Sequence, residues 1–382
     1  MKPCRIAILG STGSIGLNTL KVVDQHPQRF QVKVLSAHNN FKLLEGQIKK
    51  YRPGHVAVGP EGLAYFLKAG FKGIKFYPGK DCSGLAALPD VDVVVLAMRG
   101  TSALMPFLTG LRAGKRVAPA NKEALVIAGD LIMRQAQRHG GRIIPIDSEQ
   151  SAIFQCLDGQ RSKPKFVHLT ASGGPLRTVA SRDFRKMGPK DILRHPRWKM
   201  GPKITVDSAT MMNKGFEVIE AGHLFNLRDD QIKVLVHPEA IIHSMVEFED
   251  GACLAQLGVT DMRLPIQYAL TYPERLNTGL KDLDLVQWGR LHFQKPDLRK
   301  FPSLGLAFEA ARRAGSQPAV LNAADEVAVE AFLNGTIGFS QIYKVVEKVF
   351  LAHRIVKTPC LEAILEADKW ARQKAQEIIR TI

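Results

Sequence analysis

The chain has 382 residues, 45% hydrophobic and 23% charged, with a formal charge of +17, a length that predicts two or three domains and a composition that excludes a disordered chain. No apolar run approaches the ~18 residues of a membrane span, and the first, at 6–9, is too short for a signal sequence. Cys4, Cys82, Cys156, Cys253 and Cys360 are scattered without a CxxC pair and read as free thiols, so a cytoplasmic location is expected.

The basic charge leaves two readings, a nucleic-acid partner or small anionic ligands. Between residues 158 and 203, twelve Lys and Arg stand against three Asp, an excess that suits phosphate-bearing ligands. No helix-turn-helix, zinc-finger or RNP pattern accompanies it, so neither nucleic acid nor membrane is expected as a partner.

In chain order, β-rich runs at 5–9, 31–37, 55–58, 91–98, 116–120 and 142–147 alternate with helical spacing at 15–24, 101–113 and 123–139. The alternation predicts an α/β fold whose N-terminal domain, 1–147, is a Rossmann-like, doubly wound parallel sheet. Its first turn, Gly10-Ser-Thr-Gly-Ser-Ile-Gly16, follows a strand and opens a helix, where backbone N–H groups can approach a pyrophosphate. The spacing is GxxGxxG and not GxGxxG, and an ordinary glycine-rich turn is the alternative. Where NAD enzymes place an acid for the ribose 2′-hydroxyl, this chain reads Ala37-His38-Asn39-Asn40. With no carboxylate to repel a 2′-phosphate, NADP is the expected cofactor.

The run Pro145-Ile-Asp147-Ser148-Glu149 ends a strand, so that Asp147 and Glu149, two apart, can point the same way and suit Mg²⁺ or Mn²⁺. A helix N-cap by Asp147 or Ser148 is the competing reading. Short strands follow at 166–171, 234–236, 240–249 and 253–257, with one helix over 209–225, predicting an α/β catalytic domain at 148–273. On that helix Asn213 and Lys214 share a face with Glu217, although spacing does not separate Glu217 from Glu220 as a ligand, and a solvated Lys–Glu face is the plain alternative. The turn Thr170-Ala-Ser172-Gly-Gly-Pro175 offers a hydroxyl and amides to a phosphate. His195-Pro-Arg-Trp198-Lys-Met200-Gly201-Pro202 has the composition of a lid, though its Trp and Met also suit ordinary packing. Residues 274–303 read as a linker, and helical spacing at 304–314, 323–334, 340–351 and 361–379 predicts a C-terminal helical domain at 304–382.

The blocks GSTGSIG at 10–16, ANKE at 120–123, PIDSEQSAIFQ at 145–155, ASGGP at 171–175, HPRWKMG at 195–201 and VDSATMMNKGFEVIEA at 206–221 resemble the 1-deoxy-D-xylulose 5-phosphate reductoisomerase family. HPEAIIHSMVEFEDG at 237–251 and DMRLPIQYAL at 261–270 continue the likeness through nearly the whole chain.

The resemblance implies a homodimeric NADPH enzyme of isoprenoid precursor synthesis with a divalent metal, Mg²⁺ or Mn²⁺ with Co²⁺ a further candidate, on Asp147, Glu149 and Glu217. It implies that Ser172, Ser208, Asn213 and Lys214 hold the substrate phosphate, that Ser148 and Lys122 contact substrate oxygens, and that His195, Trp198 and Met200 belong to a lid at 195–202. Thr12, Gly13, Ser14, Ile15, Asn40, Asn121, Glu123 and Gly201, with Lys122, would contact NADPH. Family members often carry a Lys or Arg beside Asn40, where this chain has His38 and Asn39. Those two join the cofactor set, and Lys42, His38 and Arg99 stand as alternative partners of the 2′-phosphate.

Overall fold

A computed structural model describes residues 2–78, 82–194 and 200–382. The first part runs β1 Cys4–Leu9, α1 Ser14–Gln25, β2 Phe30–Ala37, α2 Phe41–Tyr51, β3 His55–Val58, α3 Pro60–Ala69 and β4 Lys75–Pro78, then β5 Val93–Leu96, α4 Leu104–Arg112, β6 Arg116–Pro119, α5 Glu123–His139, β7 Arg142–Ile143 and α6 Ser148–Leu157. The second runs β8 Phe166–Ala171, α7 Pro189–Ile192, α8 Pro202–Thr210, α9 Met212–Phe225, β9 Ile232–Val236, β10 Ile242–Glu247, β11 Cys253–Leu257 and α10 Arg263–Thr271. It closes with α11 Leu285–Trp288, α12 Pro302–Arg313, α13 Gln317–Leu333, α14 Phe339–Ala352 and α15 Leu361–Ile379. Two compact units result, one of Met1–Ala124, Ile132–Ser151 and Asp261–Lys281, the other of Leu125–Leu131, Ala152–Thr260 and Asp282–Ile382.

The first unit is built on a seven-stranded sheet in the order β4-β3-β2-β1-β5-β6-β7. Every neighbouring pair is parallel. Ile6, Ala7, Ile8 and Leu9 of β1 and Val94, Val95 and Leu96 of β5 are fully buried, the continuous apolar run of a strand covered on both faces. Because right-handed crossovers wind outward in both directions from β1, helices lie on both faces, and a ligand is expected at the carboxyl ends of β1 and β5.

Two outer helices, α2 and α3, and the edge strand β4 add to the elements expected from the sequence. Strand β7 is shorter than the expected 142–147, but Ile144 and Ile146 still donate to Val117 and Pro119 carbonyls at 3.0 Å, carrying the chain beside β6 to Asp147. Residues 261–281 return to this unit, where α10 packs on α1 and Glu274 pairs with Arg29 at 2.7 Å.

The second unit holds a four-stranded sheet, β11-β10-β8-β9, with only β8 and β9 parallel. Alternate residues Val167, Leu169 and Ala171 enter one core with Val206 of α8, Phe216 of α9, Leu304 of α12, Val329 of α13 and Val345 of α14. The C-terminal helices and the sheet are therefore two walls of a single core. The helix expected over 209–225 is two helices, broken at Met211, whose φ is +61°. Thr210 explains the break: its hydroxyl donates to Asp207 O at 3.1 Å and accepts from Met212 N at 3.2 Å, a local alternative to the helical ladder. Between α10 and α12 the chain forms α11 and a bridge from Gln294 to Val236. Among the described residues no helix is long and apolar enough to cross a membrane.

Candidate active site

At the switch point of the seven-stranded sheet, Gly10 has φ +95°, and a Cβ there would lie 2.5 Å from the Ala97 carbonyl oxygen. A Cβ on Gly16 would lie 2.4 Å from Gly10 O, so the loop closes on itself only with glycine at both positions. Ser11 is buried and fixed by Gln47, which accepts from its hydroxyl at 2.7 Å and donates to its carbonyl at 2.9 Å. Thr12 is half-buried and Ile15 likewise, whereas Gly13 and Ser14 are exposed, and among the described residues no side chain caps the N-terminus of α1. Free N–H groups at an uncapped helix start fit a pyrophosphate.

His38, Asn39 and Asn40 follow β2 on the surface, and Asn40 Oδ1 accepts from Leu43 N at 3.2 Å as the cap of α2. Lys42 and Arg99 are also exposed, so the three alternative cationic partners of a 2′-phosphate stay open. On the next loop, Asn121 donates to Gly100 O at 2.9 Å while its Oδ1 is buried without a hydrogen-bond partner among the described residues, an acceptor suited to a cofactor amide. Glu123 opens α5.

Lys122 is buried, and its Nζ lies 2.7 Å from Asp147 Oδ2. Asp147 follows the stretch after β7 that pairs with β6, and its carbonyl accepts from Ser151 N at 2.8 Å, starting α6. Ser148 donates its hydroxyl to Glu149 Oε2 in the first turn. The backbone of Asp147 thus starts the helix while its carboxylate meets an ammonium.

In the second unit Glu217 is fully buried, taking a hydrogen bond from Asn213 Nδ2 at 2.6 Å on Oε1 and an ion pair from Lys214 on Oε2. The helical spacing therefore delivers an organised cluster and not a solvated face. Glu220 is buried as well. Ser172 accepts from Gly174 N at 3.3 Å, and Gly173 and Gly174 both have positive φ. A Cβ on Gly174 would be 2.3 Å from Ser208 O, so this loop lies directly against Ser208. Gly201 caps α8 and Met200 beside it is half-buried. His195 and Trp198 lie outside the described residues. One ionic group not assembled by local spacing is Lys203, half-buried, with the buried Asp207 and Asp325; the i,i+4 pair Lys203–Asp207 is a visible signal, but Asp325 comes from α13.

Carboxylate oxygens compensated by lysines, those of Asp147 in the first unit and Glu217 in the second, are of the hard donor type that Mg²⁺ and Mn²⁺ take. A doubly wound sheet with an open glycine loop, in one chain with such carboxylates, defines the class as a pyridine-nucleotide oxidoreductase.

Comparison with known proteins is more particular. Residues 6–129 match the family described as 1-deoxy-D-xylulose 5-phosphate reductoisomerase, and 143–225 its C-terminal domain. Residues 257–374 match the DXP reductoisomerase C-terminal domain. The chain is 52% identical over 380 residues to the 1-deoxy-D-xylulose 5-phosphate reductoisomerase of Heliobacterium modesticaldum, covering 98% of this chain and 97% of the relative. It is 51% identical to that of Moorella thermoacetica, covering 97% of each. Among solved structures, a DOX-P reductoisomerase in complex with NADPH, fosmidomycin and magnesium superposes with TM-score 0.93 at 40% identity, over 99% of this chain and 98% of that one. The Zymomonas mobilis enzyme in complex with NADPH gives TM-score 0.93 at 39% identity over 100% of both. The chain belongs to the 1-deoxy-D-xylulose 5-phosphate reductoisomerase family.

Proposed function

We propose that this protein converts 1-deoxy-D-xylulose 5-phosphate to 2-C-methyl-D-erythritol 4-phosphate, using NADPH and a divalent cation, in isoprenoid precursor synthesis. The near-full-length likeness to the Heliobacterium enzyme carries the reading. When bound, the cation supplies Lewis-acid polarisation of the substrate's ketone and neighbouring hydroxyl, and NADPH supplies the hydride that reduces the rearranged aldehyde.

Asp147, Glu149 and Glu217 are assigned to one cation by the resemblance of their blocks to the family. Lys122, paired with Asp147, orients that carboxylate and contacts the substrate beside Ser148. Ser172 and Ser208 hold the phosphate together with Asn213 and Lys214, which divide their donors between it and Glu217. Residues 1–147 bind the cofactor through Thr12, Gly13, Ser14 and Ile15, then His38, Asn39 and Asn40, and the run Asn121, Lys122 and Glu123, with Gly201 contributed by the lid stem. Residues 148–273 carry the chemistry, 304–382 form the helical part, and 195–202, with His195, Trp198 and Met200, cover the substrate and exclude water.

The assembly is a homodimer: β11 is an edge strand that leaves Cys253, Leu254 and Ala255 exposed, an unpaired edge suited to a second copy. The location is the cytoplasm, in keeping with the scattered cysteines and the lack of a CxxC pair. The deciding assay is NADPH oxidation with deoxyxylulose phosphate, Mg²⁺ and, in a parallel sample, chelator. Substrate-dependent oxidation that chelator stops and Mg²⁺ restores is expected; no substrate-dependent oxidation with Mg²⁺ or Mn²⁺ overturns the reading.

A further inference from the structure

Lys203, Asp207 and Asp325 form an ionic triad, its two carboxylates buried and its lysine half-buried, that none of the roles above absorbs. Lys203 Nζ lies 2.6 Å from Asp207 Oδ2 and 3.1 Å from Asp325 Oδ2. It also stands 4.8 Å from the centre of the Phe216 ring. Asp207 and Asp325 are 2% and 0% exposed. Burial pushes the Asp325 carboxyl up even with Lys203 beside it.

Helix packing alone gives no reason for such a group, because well-packed apolar residues serve as well or better in place of buried ions. What the triad supplies is directional fixing. Lys203 occupies the first turn of α8, directly after Met200, Gly201 and Pro202, and Asp207 directly precedes Ser208. Asp325 anchors the pair from α13, and Phe216 from α9. Ser208 is held from its other side by the loop at Gly174, whose missing Cβ leaves no spare room, so any shift of α8 moves that hydroxyl against a fixed wall.

We propose that Asp325, acting through Lys203 and Asp207, is a positioning residue that fixes the start of α8 and thereby sets Ser208 for the substrate phosphate. The proposal rests on the assignment of Ser208 to that phosphate. A small misplacement of such a contact costs rate or affinity far beyond its effect on folding. The role also explains why the ionic group ties one helix of the C-terminal set, α13, to the helix that carries Ser208.

The test compares the full-length wild type with Asp325→Ala, Asp325→Asn and Lys203→Met, reading KM for deoxyxylulose phosphate, kcat, the Kd of NADPH and Tm. Asp325→Ala and Lys203→Met are expected to lower kcat/KM on the order of 10- to 100-fold, mainly through KM, with NADPH affinity unchanged. Asp325→Asn keeps an acceptor for Lys203 and recovers most of that loss, and the double variant Lys203→Met/Asp325→Ala is no worse than either alone because the residues act as a unit. If Asp325→Ala fails to fold, Lys203→Met, whose stem still covers Phe216, decides. Wild-type KM in folded variants that differ only in Tm overturns the proposal alone. No turnover by the wild type overturns the functional reading, and this one with it.

Discussion

At the scale of single residues, the candidate site is a set of carboxylates each held by a lysine or a neutral donor. Lys122 against Asp147, and Lys214 with Asn213 against Glu217, are largely enclosed groups in which loss of the lysine would leave an uncompensated charge. Asp147→Asn separates charge from shape, since the amide oxygen still accepts from Lys122 but no longer offers an anionic ligand. Mg²⁺-dependent turnover should fall by more than about 100-fold, the upper range for residues that only support a ligand, with NADPH affinity unchanged. Near-normal kcat at saturating Mg²⁺ would remove Asp147 from the ligand set. Much of this was legible in the sequence: two-residue spacing paired Asp147 with Glu149, and helical spacing joined Asn213 and Lys214 to Glu217. Asp325 was not, because a buried ion pair between distant helices leaves no local periodicity.

At the scale of elements, strand–turn–helix chemistry decides how the glycine loop forms. Gly16→Ala would place a Cβ 2.4 Å from Gly10 O and 2.5 Å from Ser11 Cα, backbone atoms that cannot step aside, whereas a Cβ on Gly13 meets nothing nearer than 3.5 Å. Gly16→Ala should therefore cost roughly 1–3 kcal/mol and weaken NADPH binding, while Gly13→Ala leaves the Tm unchanged. Equal melting temperatures for the two variants would contradict the close approach.

The segment that bridges to β9 is held by Glu239, which accepts from His292 Nδ1 at 2.6 Å and His292 N at 3.2 Å. Burial opposes ionisation of Glu239, but the hydrogen bonds from His292 prevail and hold its carboxyl below the ordinary value. A depressed carboxylate stabilises fully above its unfolded pKa and loses that contribution as pH falls through the folded one. The protection factor at Gln294 N–H, bonded to Val236 O at 2.9 Å, should thus decline as pH drops below about 4.5 while that of Val246 persists. Glu239→Gln should lower it already at neutral pH, and a pH-independent Gln294 would refute the latch. The alternation of β-runs and helical spacing found most strands. It missed α2, whose exposed face is lysine-rich, and could not see the break at Met211, which turns on one threonine hydroxyl.

At the scale of the whole molecule, local periodicity finds each C-terminal helix but not what it packs against. Helix α12 packs on α9 and α13 on α8, and both join β8, β9 and β10 in one core. Removing residues 304–382 would uncover Val206, Phe216 and Ile219 and delete Leu304, Val320, Leu321, Val329, Phe332, Val345 and Phe350. Each large apolar side chain returned to water forfeits about 1.5–3 kcal/mol, against a total domain stability of roughly 5–15 kcal/mol. The four-stranded sheet therefore cannot stand without the C-terminal helices. The seven-stranded sheet buries β1 and β5 within its own unit, which includes α10 but nothing beyond Lys281. The chain truncated after residue 303 should accordingly keep NADPH binding and the slow-exchanging amides of β1 and β5. It should lose protection at β8 and β10, and with it all Mg²⁺-dependent turnover. Hydrogen exchange of the truncated chain decides the matter: β8 and β10 amides protected as in the full chain would show that the C-terminal helices are an appendage and not a wall of the catalytic core.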